Sequence, residues 1–147
     1  MVVQFGLFAL VAFGPRSWPG AAVWPMPYSW VASGIGAGLV VIGAVLATTG
    51  LVRLGRNLTV LPYPVDGAPL VVSGPYRIVR NPIYSGLIFA SFGLGLYVNG
   101  WLTLIYAALL FALFDVKSRR EERWLREKCP EYGAYQRRVR KLVPWVY

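Results

Sequence analysis

Hydrophobic and polar positions fall in long blocks along this chain. No Asp, Glu, Lys or Arg occurs from Ser17 to Val52, and none from Asn81 to Phe114. Runs of that length fit membrane spans. The first apolar segment covers about Val2 to Phe13, is closed by Gly14-Pro15, and precedes a Pro/Trp-rich stretch through Tyr28 that suits an interface belt. A basic leader and a small-residue cleavage site are both missing from it, so it reads as part of the mature protein. The second segment, about Ser29 to Val52, is the best single span. Its Gly34, Gly36, Gly38 and Gly43 permit close approach of a neighbouring helix.

The run from Asn81 to Phe114 would make a helix of roughly 50 Å at 1.5 Å per residue. That is too long for one crossing of a hydrocarbon core of about 30 Å. A hairpin broken near Val98-Asn99-Gly100 resolves this, with each arm running on into polar residues and Lys117 and Arg119 snorkelling. The pattern therefore predicts an all-α integral-membrane bundle of about four helices, with spans near 2–13, 29–52, 82–97 and 101–116. A cytoplasmic loop and an amphipathic tail over 117–147 complete it.

Charge orients the bundle. Of fifteen basic residues ten follow Asp115, and the connection before the third span carries Arg53, Arg56, Arg77 and Arg80, whereas the Asn99 turn carries none. Positive residues stay inside, so both termini, the Arg53–Arg80 loop and the tail are expected on the cytoplasmic face. The net charge of +9 follows the apolar run so closely that it points to anionic headgroups and not to nucleic acid. One cysteine, Cys129, and no histidine exclude an internal disulfide, a Cys/His metal site and a histidine base.

Two segments carry chemistry. Gly74-Pro75 signals a turn, Asn81 stands as N-cap and Pro82 occupies the first helical position. The helix start beside Arg80 suits a carboxylate or phosphate, although a well-capped helix with a snorkelling arginine accounts for the same residues. Glu121 and Glu122 lie among six basic neighbours from Lys117 to Lys128. They satisfy helical pairing with Lys117, Arg123 and Arg126, and the hairpin also returns them toward Arg80-Asn81-Pro82. Beyond them Tyr132, Tyr135, Val139, Leu142 and Pro144 mix with basic residues in what also reads as a membrane-surface helix.

These blocks, in this order, resemble the isoprenylcysteine carboxyl methyltransferase family and the related phospholipid methyltransferases, in the form of a small bacterial-type member. The resemblance runs from about Arg53 to Pro144. Gly74-Pro75-Tyr76, then Arg80-Asn81-Pro82-Ile83-Tyr84, looks like the family's G-P-Y-x-x-x-R-(H/N)-P-x-Y, and Glu121-Glu122 follow after 36 residues.

The resemblance implies a single membrane methyltransferase domain over residues 1–147, using S-adenosylmethionine on a lipophilic acceptor at the cytoplasmic face of a bacterial or archaeal inner membrane. By position, Tyr76, Arg80, Asn81, Pro82, Ile83, Tyr84, Glu121, Glu122 and Tyr135 would touch the cofactor, and Ala68, Pro69, Leu70 and Val71 would line it with backbone. Glu121 and Lys117 would face the acceptor, most simply the carboxylate of an isoprenylcysteine-like or other isoprenoid compound. Its partners would be that acceptor and membrane lipids, with no metal and no nucleic acid.

Lys117 stands where an arginine is common, Cys129-Pro130 where Phe-Gly is common, and the Glu122–Tyr132 spacing is one residue short. These departures bear on substrate type. Phosphatidylethanolamine N-methylation, a non-catalytic lipid-binding module and an NADPH-dependent membrane reductase are the competing readings.

Overall fold

The computed structural model describes residues 2–55 and 70–147. Its helices are α1 (Val2–Phe13), α2 (Tyr28–Leu54), α3 (Pro82–Tyr97), α4 (Trp101–Lys128) and α5 (Tyr132–Arg138), with a 3-10 turn over Gly74–Arg77. Among the described residues there is no strand, only an isolated parallel bridge between Val79 and Arg140. Helices α2 and α4 are long and apolar enough to cross a membrane, while α1 and α3 are shorter apolar helices. The apolar part of α4 ends near residue 116, and its last turns, 117–128, are polar and charged.

The chain forms two compact units, residues 1–44 with 86–113, and residues 45–85 with 114–147. In the first unit the backbones of α2 and α3 touch. A Cβ on Gly36 would lie 2.4 Å from the Tyr97 amide nitrogen, and one on Gly43 would lie 2.4 Å from the Gly86 carbonyl oxygen. Only glycine permits that approach. Of the four glycines expected to do so, Gly34 and Gly38 face open space instead.

The turn between α3 and α4 falls at Val98–Gly100. Asn99 takes φ 51°, Gly100 N donates to Gly95 O at 2.9 Å and Asn99 N to Leu96 O at 3.1 Å. This is a Schellman closure with asparagine in the left-handed position. Asn99 also donates to Ser33 Oγ at 3.0 Å, and Ser33 donates to Tyr97 O at 2.9 Å, which ties α2 to the turn. Arg16 donates to the last carbonyls of α1, Val11 O and Ala12 O, at 3.0 and 2.8 Å.

In the second unit Gly74 opens the 3-10 turn at φ 61°, and residues 79–81 then run beside 140–141. Arg80 N donates to Arg140 O at 2.7 Å and Asn81 N to Lys141 O at 3.2 Å. Val79, Phe114, Tyr132 and Leu142 form its buried apolar centre.

The tail departs from the expected amphipathic or membrane-surface helix. After the seven residues of α5 it is extended along residues 79–81, because the backbone groups ahead of Pro82 find partners there. It then closes in a turn where Leu142 N and Val143 N both donate to Tyr147 O at 2.7 Å.

Candidate functional site

The residues singled out in the sequence converge within the second unit through two adjacent positions on α4. Glu122 is buried and faces residues 80–81. Arg80 grips it with two contacts, Nε to Oε1 at 2.8 Å and Nη2 to Oε2 at 3.2 Å. Asn81 Nδ2 donates to the same Oε1 at 3.2 Å, and Gln136 Nε2 donates to Oε2 at 3.2 Å. Such bidentate, charge-assisted pairing fixes both groups in place.

Arg80 has further partners. Its Nη1 donates to Gln136 O at 2.9 Å and Val139 O at 2.6 Å, so four contacts occupy a guanidinium that has five N–H groups. With its side chain only 10% exposed, it ties the segment ahead of α3 to α4 and to the end of α5. Glu122 correspondingly pairs across the chain and not with Arg123 or Arg126 at helical spacing.

Glu121 points to the other partner. Tyr84 donates its hydroxyl to Glu121 Oε1 at 2.7 Å and stacks on Phe114 at a centroid distance of 4.6 Å. The Lys117 ammonium stands 5.2 Å from the centre of the Tyr84 ring, a cation–π contact. Burial pushes the Glu121 carboxyl above the usual carboxylate range, and the Tyr84 hydrogen bond and the Lys117 charge only partly oppose it.

The remaining expected residues divide. Tyr76 is buried, its hydroxyl raised by burial to about 12, and Tyr135 donates its own hydroxyl to Tyr76 O. Burial also raises Tyr132 and Tyr135, so all three phenols stay protonated at neutral pH. Pro82 is fully buried. A Cβ on Gly50 would meet Pro82 Cγ and Ile83 Cγ1 at 3.1 Å, so the ring packs closely against α2. Leu70 and Val71 are half-buried and irregular. Ala68 and Pro69, together with Arg56, lie outside the described residues.

A cavity of about 540 Å³ adjoins the Arg80–Glu122 pair, a size that accommodates a small ligand. Arg119, Arg123, Arg126, Arg140 and Lys141 line it, with Val146 and Tyr147. Tyr76, Asn81, Tyr84, Glu121 and Tyr135 are not among its lining residues.

Two residues escaped the sequence reading. Gln136 bridges Glu122 and Arg126, accepting from Arg126 Nε at 2.7 Å. Asp115 accepts from Lys141 Nζ at 2.6 Å and from the Tyr147 hydroxyl at 3.0 Å, and pairs with Arg119 at 2.8 Å. Its position as the first carboxylate after a run of 34 uncharged residues, four before Arg119, was the available signal. Gln136 carried none.

Comparison with known proteins bears on this arrangement. A family model described as phospholipid methyltransferase matches residues 31–131. The chain is 32% identical over 145 residues to a cobalt-zinc-cadmium resistance protein of Cupriavidus metallidurans, covering 98% of this chain and 61% of that protein. It is 29% identical over 121 residues to protein-S-isoprenylcysteine O-methyltransferase B of Arabidopsis thaliana, covering 80% of this chain and 61% of that one. A probable protein-S-isoprenylcysteine O-methyltransferase of Oryza sativa subsp. japonica matches at 29%, covering 80% of this chain and 63% of the relative. The chain thus spans less than two thirds of these relatives' length. Among solved structures, the eukaryotic intramembrane Ras methyltransferase isoprenylcysteine carboxyl methyltransferase superposes with a TM-score of 0.71. That match covers 99% of this chain and 50% of that one at 23% identity, a likeness of fold.

Proposed function

The chain belongs to the phospholipid methyltransferase family, and on that premise we propose that it transfers a methyl group from S-adenosylmethionine to a lipophilic acceptor in the membrane. The observation that carries the proposal is the convergence of Arg80, Asn81 and Tyr84 on Glu121 and Glu122. Segments 37 to 42 residues apart in sequence assemble one polar cluster beside tyrosine rings.

The cluster's chemistry fits the cofactor. The Tyr84 ring already has a cation at its face in Lys117, the contact a sulfonium would make. Glu121 supplies a carboxylate for an ammonium or ribose hydroxyls, and Asn81, Tyr76 and Tyr135 supply further polar and aromatic surface. Arg80 acts through Glu122, holding it in place, and is a positioning residue. When bound, S-adenosylmethionine supplies an electrophilic methyl on a cationic sulfur.

The acceptor we favour is a carboxylate of an isoprenylcysteine-like or other isoprenoid compound. Two curated relatives carry isoprenylcysteine O-methyltransferase names, and a carboxylate needs no base, which suits a chain without histidine. Lys117, beside the Tyr84 ring, is the cation assigned to orient it, as a point charge and not a bidentate fork. A second reading, N-methylation of an ethanolamine headgroup, is favoured by the family description. Glu121, hydrogen-bonded to Tyr84, would then accept the proton. The density of basic residues near α3 and α4 supports a site at the cytoplasmic face.

Calorimetry of detergent-purified protein with S-adenosylhomocysteine is the first test. Saturable binding that is lost in Glu121→Gln is expected. Absence of binding, or binding of NADPH in its place, would overturn the proposal. Incubation of a lipid extract with methyl-labelled cofactor then separates the acceptors, since a carboxyl ester is released by mild base and an N-methyl group is not.

A further inference from the structure

The cavity beside Arg80 and Glu122 poses an electrostatic problem that methyl transfer does not use. Six cationic side chains line it against the single acidic side chain of Glu122. Glu122 is matched by Arg80, and Asp115 is shared by Arg119 and Lys141. Arg126 donates to the neutral amide of Gln136, and Arg123 and Arg140 have no carboxylate partner among the described residues. Three guanidiniums therefore line one space with no acidic side chain paired to them among the described residues, an arrangement that repels a sulfonium and attracts an anion.

The same cavity has an apolar border. Val146, one of its lining residues, is 75% exposed, and Trp145 beside it is 84% exposed. These side chains are not on a loose end. Four main-chain hydrogen bonds close the turn, from Leu142 N and Val143 N to Tyr147 O and from Val146 N and Tyr147 N to Val143 O. Trp145 is held at φ 61°, a left-handed conformation unfavourable for a residue with a Cβ. The fold thus presents an exposed valine at the edge of a guanidinium cluster, with an exposed indole next to it in the chain.

We propose that this cavity and its Trp145–Val146 border form a binding site for an anionic phospholipid, the phosphate on Arg123, Arg126 and Arg140 and the glycerol-acyl region on the two apolar side chains. A soluble anion uses only the charged half of the site. An anionic lipid uses both, and an indole at the level of the headgroups is a favoured placement. Arg80 and Glu122 border both this cavity and the methyl-transfer cluster, but the phosphate contacts named here, Arg123, Arg126 and Arg140, have no part in that reading, so the inference does not rest on it.

Titration of detergent-purified full chain with short-chain phosphatidylglycerol tests this. That lipid has neither an amine nor a carboxylate to be methylated, and short-chain phosphatidylcholine and inorganic phosphate serve as parallel probes. Phosphatidylglycerol is expected to bind saturably, and the double variant R123A/R140A to bind it about thirtyfold more weakly. W145A should weaken it several-fold while W145F retains most of the affinity. Unchanged S-adenosylhomocysteine binding in R123A/R140A would show that the variant is folded and that the two sites are distinct. Equal binding of phosphatidylcholine, or wild-type affinity in R123A/R140A, would overturn the site. Inorganic phosphate binding as tightly as the lipid, with W145A unaffected, would overturn its assignment to a lipid.

Discussion

The two units hold themselves together by opposite means. Residues 1–44 and 86–113 contain Arg16 as their only charged side chain, and their helices are joined by backbone approach at Gly36, Gly43 and Gly93. Residues 45–85 and 114–147 hold the other fourteen basic residues and all six acidic ones, and their segments are joined through Glu122 and Asp115. Apolar surroundings reward contact between small residues, because dispersion and removal of side-chain bulk are what remain to be gained. A buried carboxylate is tolerable only when fully hydrogen-bonded. The first unit should therefore be sensitive to volume and the second to charge.

The largest effect should come from breaking the charge pairing. Arg80→Ala leaves Glu122 buried and short of its two strongest donors, and the cost should be about 3–5 kcal/mol in denaturant unfolding of the detergent-solubilised protein. The double variant Arg80→Leu/Glu122→Leu should cost less than the sum of the two single changes, because no orphaned charge remains. Additive losses would show that the pair is not the tie proposed here.

Volume comes next. Gly36→Ala and Gly43→Ala place a methyl 2.4 Å from backbone atoms and should each cost about 1–3 kcal/mol. Gly34→Ala and Gly38→Ala on the same helix meet nothing within 4 Å and should be neutral or stabilising by up to about 1 kcal/mol. Equal responses at all four positions would dissolve the contrast between the units.

Smaller effects sharpen the second unit. Tyr84→Phe keeps the stacked ring and removes the donor to Glu121, and S-adenosylhomocysteine should bind about tenfold more weakly. Glu121 also sets a pH dependence. Its carboxyl is raised by burial, so between the ordinary glutamate pKa and the raised value the folded chain binds more protons than the unfolded one. Stability should fall as pH rises through that window. Glu121→Gln should flatten that slope in a series of unfolding measurements, and an unchanged slope would assign it to another group.

Much of this was legible in the chain itself. Uncharged runs bounded by basic residues mark the apolar helices, and Asn99-Gly100 marks the turn between α3 and α4, because an asparagine before a glycine readily takes a left-handed position. The start of α3 was readable from Asn81-Pro82, since a proline at the first helical position loses no hydrogen bond. The blocks around Tyr76, Tyr84 and Glu121-Glu122 identified the family.

What only the tertiary structure decided is how those residues divide their work. Adjacent glutamates look equivalent in sequence, yet successive helix positions point about 100° apart, so Glu121 meets Tyr84 while Glu122 meets Arg80. Four glycines in one helix look equivalent too, and only the position of α3 separates Gly36 and Gly43 from Gly34 and Gly38. Local sequence carries periodicity, caps and turn chemistry, because these depend on neighbours along the chain. The occupation of Arg80, the burial of Pro82 and the gathering of guanidiniums beside Val146 depend on groups dozens of residues away, and folding alone brings those together.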